Sequence, residues 1–223
     1  MNHIYPINTQ GRDFFLGDLH GCYDVLQQGL KDVNFDYEKD RLFSVGDLID
    51  RGPKSQACLD LIYEPWFHAT MGNHEQFMVE ACHDRDIFVN WYNEGGVWGS
   101  DLTMDEHKAY AKDINTLMPF YMVIETQHGR VGIVHAEPPR DWANIEHSDP
   151  DDLLWNREKI KAKDTTVIKN IDYVLCGHTP DRQGPIILGN TAYIDIYTVG
   201  TGKLALFTLD QLFDLTDKET KDV

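Results

Sequence analysis

No apolar run in this chain approaches the roughly 20 residues that a membrane-crossing helix needs, and mean hydropathy is −0.43. The opening "MNHIYPINTQGRDFF" lacks the basic and apolar regions of a secretory signal. Cysteine is scarce: Cys22, Cys58, Cys82 and Cys176 form no C-x-x-C pair. The set suits reduced, mostly buried thiols rather than a disulfide frame or a thiolate zinc site. Basic residues are outnumbered, 20 Lys and Arg against 37 Asp and Glu, for a net charge of −17. That balance argues against a broad nucleic-acid surface and against binding to anionic membranes. Repeats, low-complexity tracts and linkers are also missing. The expectation is one cytoplasmic domain spanning 1–223.

What is present is a recurring ending. "FFLGDLHG" (14–21) leaves an apolar run through Gly17 and at once sets Asp18 and His20 two apart. On extended backbone such a pair points to one side. "LFSVGDLIDRG" (42–52) repeats the pattern with Asp47, Asp50 and Arg51, and "FHATMGNHE" (67–75) ends in Asn73, His74 and Glu75. "VGIVHAE" (131–137) delivers His135 and "IDYVLCGHT" (171–179) delivers His178. Each ending alone reads as turn or cap chemistry. Five together at strand ends point to one shared pocket, because ligands of open α/β sheets sit outside the carboxyl ends of the strands.

Apolar spacing after Gly21, at 57–62 and at 77–82 suits helices, so the first 85 residues alternate strand and helix and imply a largely parallel sheet. Residues 86–118 read as mainly helical, broken at Gly95-Gly96 and Gly99. Strands are expected near 120–126, 130–135, 172–176, 185–188, 191–196 and 202–209, with 137–171 mostly loop and short helix.

Asp18, His20, Asp47, Asn73, His135 and His178 offer oxygen and imidazole donors without a thiolate, which suits manganese, iron or zinc. Six ligands exceed one open catalytic ion and approach two. Two ions about 3.5–4 Å apart clamp an in-line displacement at phosphorus, and Asp47 is central in sequence order for a bridge. Arg51, beside Asp50 in a turn, reads about as well as part of a surface ion pair.

The ordered motifs "GDLHG", "GDLIDRG" and "GNHE", then an isolated His and "GHT", resemble the metallophosphoesterases of the phosphoprotein phosphatase class. Order, spacing and length are most similar to the small bacterial and bacteriophage Ser/Thr protein phosphatases of the lambda phage type, over about residues 12–209. The resemblance implies an α/β fold: a calcineurin-like β-sandwich flanked by helices on a βαβαβ scaffold. It implies Asp18 and His20 on one metal, Asp47 bridging, and Asn73, His135 and His178 on a second. It makes His74 the general acid, with Asp50 accepting from its other ring nitrogen. Arg51 and Arg157, the latter in "WNRE", become phosphate ligands beside Asn73.

The activity so implied is hydrolysis of phosphoserine and phosphothreonine in proteins or peptides, with phosphotyrosine as a further substrate. A metal-bound hydroxide attacks directly, since no Cys or Ser sits where a covalent nucleophile is needed. The alternatives are a diadenosine polyphosphate hydrolase, whose "ARG" and "GNHD" differ from Asp50-Arg51-Gly52 and Glu75 here, and a metal-binding protein without turnover. One departure from the family pattern is "YIDIYTVGTG" (193–202), which reads Ile196-Tyr197 after Asp195.

Overall fold

The structure is a computed structural model that describes residues 3–212. Its first half winds β2 (Asp13–Leu16), α1 (Tyr23–Asp32), β3 (Arg41–Ser44), α2 (Ser55–Leu59) and β4 (Phe67–Ala69) in alternation. β2, β3 and β4 pair in parallel, with Phe15 opposite Phe43 and Ser44 opposite Ala69. β10 (Leu206–Phe207) closes the other edge antiparallel to β2, giving a four-stranded sheet. This is the βαβαβ scaffold that the early motifs imply.

The second sheet has six strands and is mixed rather than parallel. Its order is β1 (Ile4–Tyr5), β5 (Tyr121–Thr126), β6 (Gly129–Val134), β7 (Tyr173–Cys176), β9 (Thr191–Tyr193), β8 (Ile186–Leu188). β5–β6 and β8–β9 are antiparallel, the remaining pairs parallel. β1 is too short to show a period in sequence. The expected strands at 191–196 and 202–209 shrink to three and two residues. The first stops early because the Asp195 carboxylate accepts from Tyr197 N at 2.7 Å and turns the chain.

Strand alternation sorts side chains into layers. Phe15, Phe43 and Val45 meet Met122, Ile124, Val131 and Ile133 between the sheets, all buried. Phe14, Leu16 and Leu42 face the other way, onto Leu26 and Leu30 of α1 and Met78 of α3 (Asn73–Ala81). The far face of the six-stranded sheet packs Val134 and Val174 against Trp142, Leu153 and Ile160. The layers form a β-sandwich flanked by helices. The 137–171 stretch contributes a 3-10 helix (Trp142–His147), α6 (Pro150–Trp155) and α7 (Glu158–Ala162). Between α3 and β5 lie α4 (Arg85–Asn93), a 3-10 helix (Gly96–Asp101) and α5 (Met104–Leu117), whose Thr103 and Glu106 make a reciprocal N-terminal cap. Among the described residues no helix is long and apolar enough to cross a membrane.

Candidate metal centre

The carboxyl ends of β2, β3, β4, β6 and β7 deliver Asp18, Asp47, Asn73, His135 and His178 to one region, as the five endings imply. The backbone route differs from simple extension. His20 has φ 45°, Asp47 49°, Asp50 75°, Arg51 67° and His178 66°, all left-handed. Asp18 and His20 therefore do not share a side by strand alternation. Asn73 and His74 open α3 rather than an extended segment, so their divergence is that of successive helical residues.

Two groups of donor atoms converge: His20, Asp47 and His74, and Asp47, His135 and His178. Asp47 belongs to both. Its Oδ2 lies 3.6 Å from His20 Nε2 and 3.4 Å from His135 Nε2, while Oδ1 accepts from His74 N at 3.1 Å. Asn73 Oδ1 is 2.9 Å from His135 Nε2 and 3.0 Å from His178 Nδ1. Asp18 is turned slightly aside: both its oxygens accept from His178 N, at 3.2 and 3.1 Å. His74, which the resemblance makes a proton donor, also lies within the first donor group.

Backbone carbonyls set the histidine tautomers. Nδ1 of His20 donates to Ile49 O at 2.9 Å and Nδ1 of His135 to Val45 O at 2.8 Å, and Nε2 of His178 donates to Trp155 O at 3.3 Å. In each ring the nitrogen left with a lone pair is the one aimed at the cluster, the arrangement that metal-binding imidazoles use. The buried charge tells the same way. Asp18, Asp47, Glu75 and Asp195 are all at most 4% exposed. Burial and then Asp195 and Asp47 push Asp18 far up, and burial pushes Asp195 up to about 6. Asp47 alone is held well down, by His135 and His74 against its burial. Burial drops both His20 and His178 to about 3, leaving them neutral, whereas at His135 Asp47 outweighs burial and raises the pKa. Neutral imidazoles with inward lone pairs beside crowded carboxylates fit divalent cations, so the residues present suit such ions.

His74 has its own partner. Nδ1 donates to Asp50 Oδ2 at 2.6 Å, and Nε2 faces the cavity. Burial disfavours its imidazolium, but Asp47 and Asp50 outweigh that and raise the pKa. Arg51 Nη2 lies 2.8 Å from His74 Nε2, and Nη1 lies beside His20 Nε2. Arg157 also lines the cavity, held by Thr179 Oγ1 and His178 O, each at 3.3 Å. Asp47, Arg51, Asn73, His74, Arg157 and His178 line one open cavity of about 580 Å³.

Sequence reasoning missed three contributors. Glu75 is fully buried and accepts from four backbone N–H groups: Asp47 and Gly72 at 2.9 Å, Leu48 at 2.8 Å and Ile49 at 3.3 Å. It ties the Asp47 loop to the start of α3. Gly72 is required there, since a Cβ would sit 2.1 Å from Asp47 Oδ1. An acid inside "GNHE" was visible, but its partners were not. Trp91 and Trp98, which both reach Asp50, carry no local signal at all.

Residues 14–182 match the family described as calcineurin-like phosphoesterase. The chain is 37% identical over 195 residues to Serine/threonine-protein phosphatase 1 of Salmonella typhimurium, covering 86% of this chain and 88% of that one. A symmetrical bis(5'-nucleosyl)-tetraphosphatase of Actinobacillus succinogenes is 31% identical over 135 residues, covering 58% of this chain and 45% of that one. A solved serine/threonine phosphatase of Saccharomyces cerevisiae shares the fold with a TM-score of 0.61 at 13% identity, covering 86% of this chain and 70% of the other.

Proposed function

The chain belongs to the calcineurin-like phosphoesterase family, and from that premise we propose that it is a metal-dependent phosphoprotein phosphatase of a single domain, acting in the cytoplasm on phosphoserine and phosphothreonine. The observation that carries this reading is a divalent-cation donor set on the same cavity as the His74–Asp50 pair, in which Nδ1 is tied to the carboxylate and Nε2 faces the cavity. With Asp18, His20, Asp47, Asn73, His135 and His178 already offering six ligands, a purely metal-binding protein does not need that pair as well. The tetraphosphatase reading is the weaker one, because that relative matches over only 58% of this chain.

Asp18, His20, Asp47, Asn73, His135 and His178 would hold two divalent ions, manganese being the first choice for an oxygen- and nitrogen-only set. When bound, the ions polarise the phosphoryl group and activate water. The remaining work belongs to the protein. Arg51 and Arg157 both line the cavity and would clamp phosphate oxygens with forked N–H donors. Asn73 orients the phosphate through its amide. His74 Nε2 gives its proton to the departing serine or threonine oxygen, and Asp50 holds the imidazole on Nδ1 so that Nε2 stays on the cavity side. No covalent intermediate is required, as no Cys or Ser among the described residues lines the cavity.

The test is turnover of phosphoserine peptides and of dinucleotide polyphosphates by the same preparation. Chelation should abolish peptide turnover and manganese should restore it, with close to two ions bound per chain. Preferential turnover of dinucleotide polyphosphates, or full activity with one ion, would overturn this reading.

A further inference from the structure

The hairpin of α4 and the following 3-10 helix covers the Asp50–Arg51 turn. Gly95 O accepts from Arg51 N at 3.2 Å. Trp91 Nε1 donates to Asp50 Oδ2 at 2.8 Å, and Trp98 Nε1 donates to Asp50 Oδ1 at 2.7 Å. With His74 Nδ1 on Oδ2, each carboxylate oxygen is engaged and the side chain is 0% exposed. The two indoles meet edge to face at 6.0 Å and 83°. The chain closes around Trp91 through glycines: a Cβ at Gly96 or Gly99 would lie 2.5 or 2.2 Å from its ring. Phe88 and His107 pack on the same indole.

We infer that Trp91 and Trp98 are positioning residues for the proton-transfer pair, fixing the Asp50 carboxylate so that His74 presents Nε2 to the leaving oxygen. This rests on the phosphatase reading above. A carboxylate anchored only by His74 could rotate about its Cβ–Cγ bond and take the imidazole with it. Two N–H donors on different oxygens remove that freedom. Indole suits the task because it donates and cannot accept. It is rigid and neutral, so it satisfies a buried anion without competing with His74 as a counter-charge. A lysine or arginine in its place would draw the carboxylate off the imidazole.

The experiment uses the full manganese-loaded chain. Trp98→Phe and Trp91→Phe keep an aromatic ring and lose one donor. Their kcat is compared with wild type on a phosphoserine peptide and on an aryl phosphate with a good leaving group. A lost hydrogen bond to a charged group should slow the peptide about tenfold and the aryl ester by less than about threefold, with KM unchanged. The ratio of the two rates does not depend on what fraction of the variant is folded, so partial unfolding cannot imitate the result. In the His74→Asn background Trp98→Phe should add no further loss on the peptide, because both act through one proton. Equal losses on both substrates, or losses that multiply with His74→Asn, would overturn the inference. Absence of wild-type turnover on either ester would remove the phosphatase reading, and this inference with it.

Discussion

Glu75→Gln isolates what holds Asp47 in place. Glu75 Oε2 accepts from Asp47 N and Gly72 N, and Oε1 from Leu48 N and Ile49 N. An amide has one acceptor oxygen and a donor NH2. Whichever way the glutamine turns, two backbone N–H groups lose their acceptor and face another donor. Each buried orphan costs roughly 1–3 kcal/mol, and the surviving pair loses its charge assistance. The expected destabilisation is about 4 kcal/mol, a large part of the roughly 5–15 kcal/mol available to a folded domain. With a urea m-value of about 3 kcal/mol/M, the midpoint should fall by roughly 1.3 M. The measurement is equilibrium unfolding with chelator present, so that bound ions do not buffer the change. Manganese affinity should weaken in parallel, because the freed loop carries the residue shared by both donor groups. A midpoint shift below about 0.3 M, with unaltered manganese affinity, would refute the argument.

His74→Asn should retain both metal ions and lose about 10²–10⁴-fold in kcat on phosphoserine peptides, with a clearly smaller loss on an aryl phosphate. Loss of an ion would instead place His74 among the ligands, as its membership in the first donor group allows. Basic residues flanking the phosphate should raise kcat/KM, since five acids lie in 141–152 beside the α6 end that leads to Arg157. The preference should shrink as salt rises to about 0.15 M, where screening acts over about 8 Å, and indifference to peptide charge at low salt would reduce that stretch to a solubilising face. Burial pushes Asp40 up, but the Arg12 guanidinium and two backbone amides hold its carboxyl below the usual range. A depressed folded pKa gives stability that is full above the unfolded value of about 3.9 and is lost as pH falls. Asp40→Asn should therefore cost most near neutral pH, with the gap to wild type closing below about pH 4, as read from urea midpoints across pH.

Strand ends and their ligand-type side chains were legible because they are local: an apolar run, a glycine, then a donor. Asp18, His20, Asp47, Asn73, His135 and His178 could be named from that alone. Relations across the chain were not legible. Asp50 meets Trp91 and Trp98 at separations of 41 and 48 residues, and an indole in an amphipathic helix looks like any core residue. Glu75 looked like the end of a motif because its four acceptances go to backbone, which has no sequence. The mixed pairing of the six-stranded sheet was not legible either, since strand direction depends on connections that loop length alone does not fix.

Left-handed backbone occurs at His20, Asp47, Asp50, Arg51 and His178, five of the nine non-glycine residues with positive φ among those described. An L-residue holds that conformation at a cost of about 1–2 kcal/mol, and glycine does not. The helices and strands around these five positions must supply the difference. Evolution toward thermostability, if activity were not also selected, would drift toward glycine at the exposed Arg51, whereas glycine at Asp50 would orphan the N–H donors of His74, Trp91 and Trp98. A library screened for survival on heating would thus return hardened but silent variants, mutated where catalysis resides.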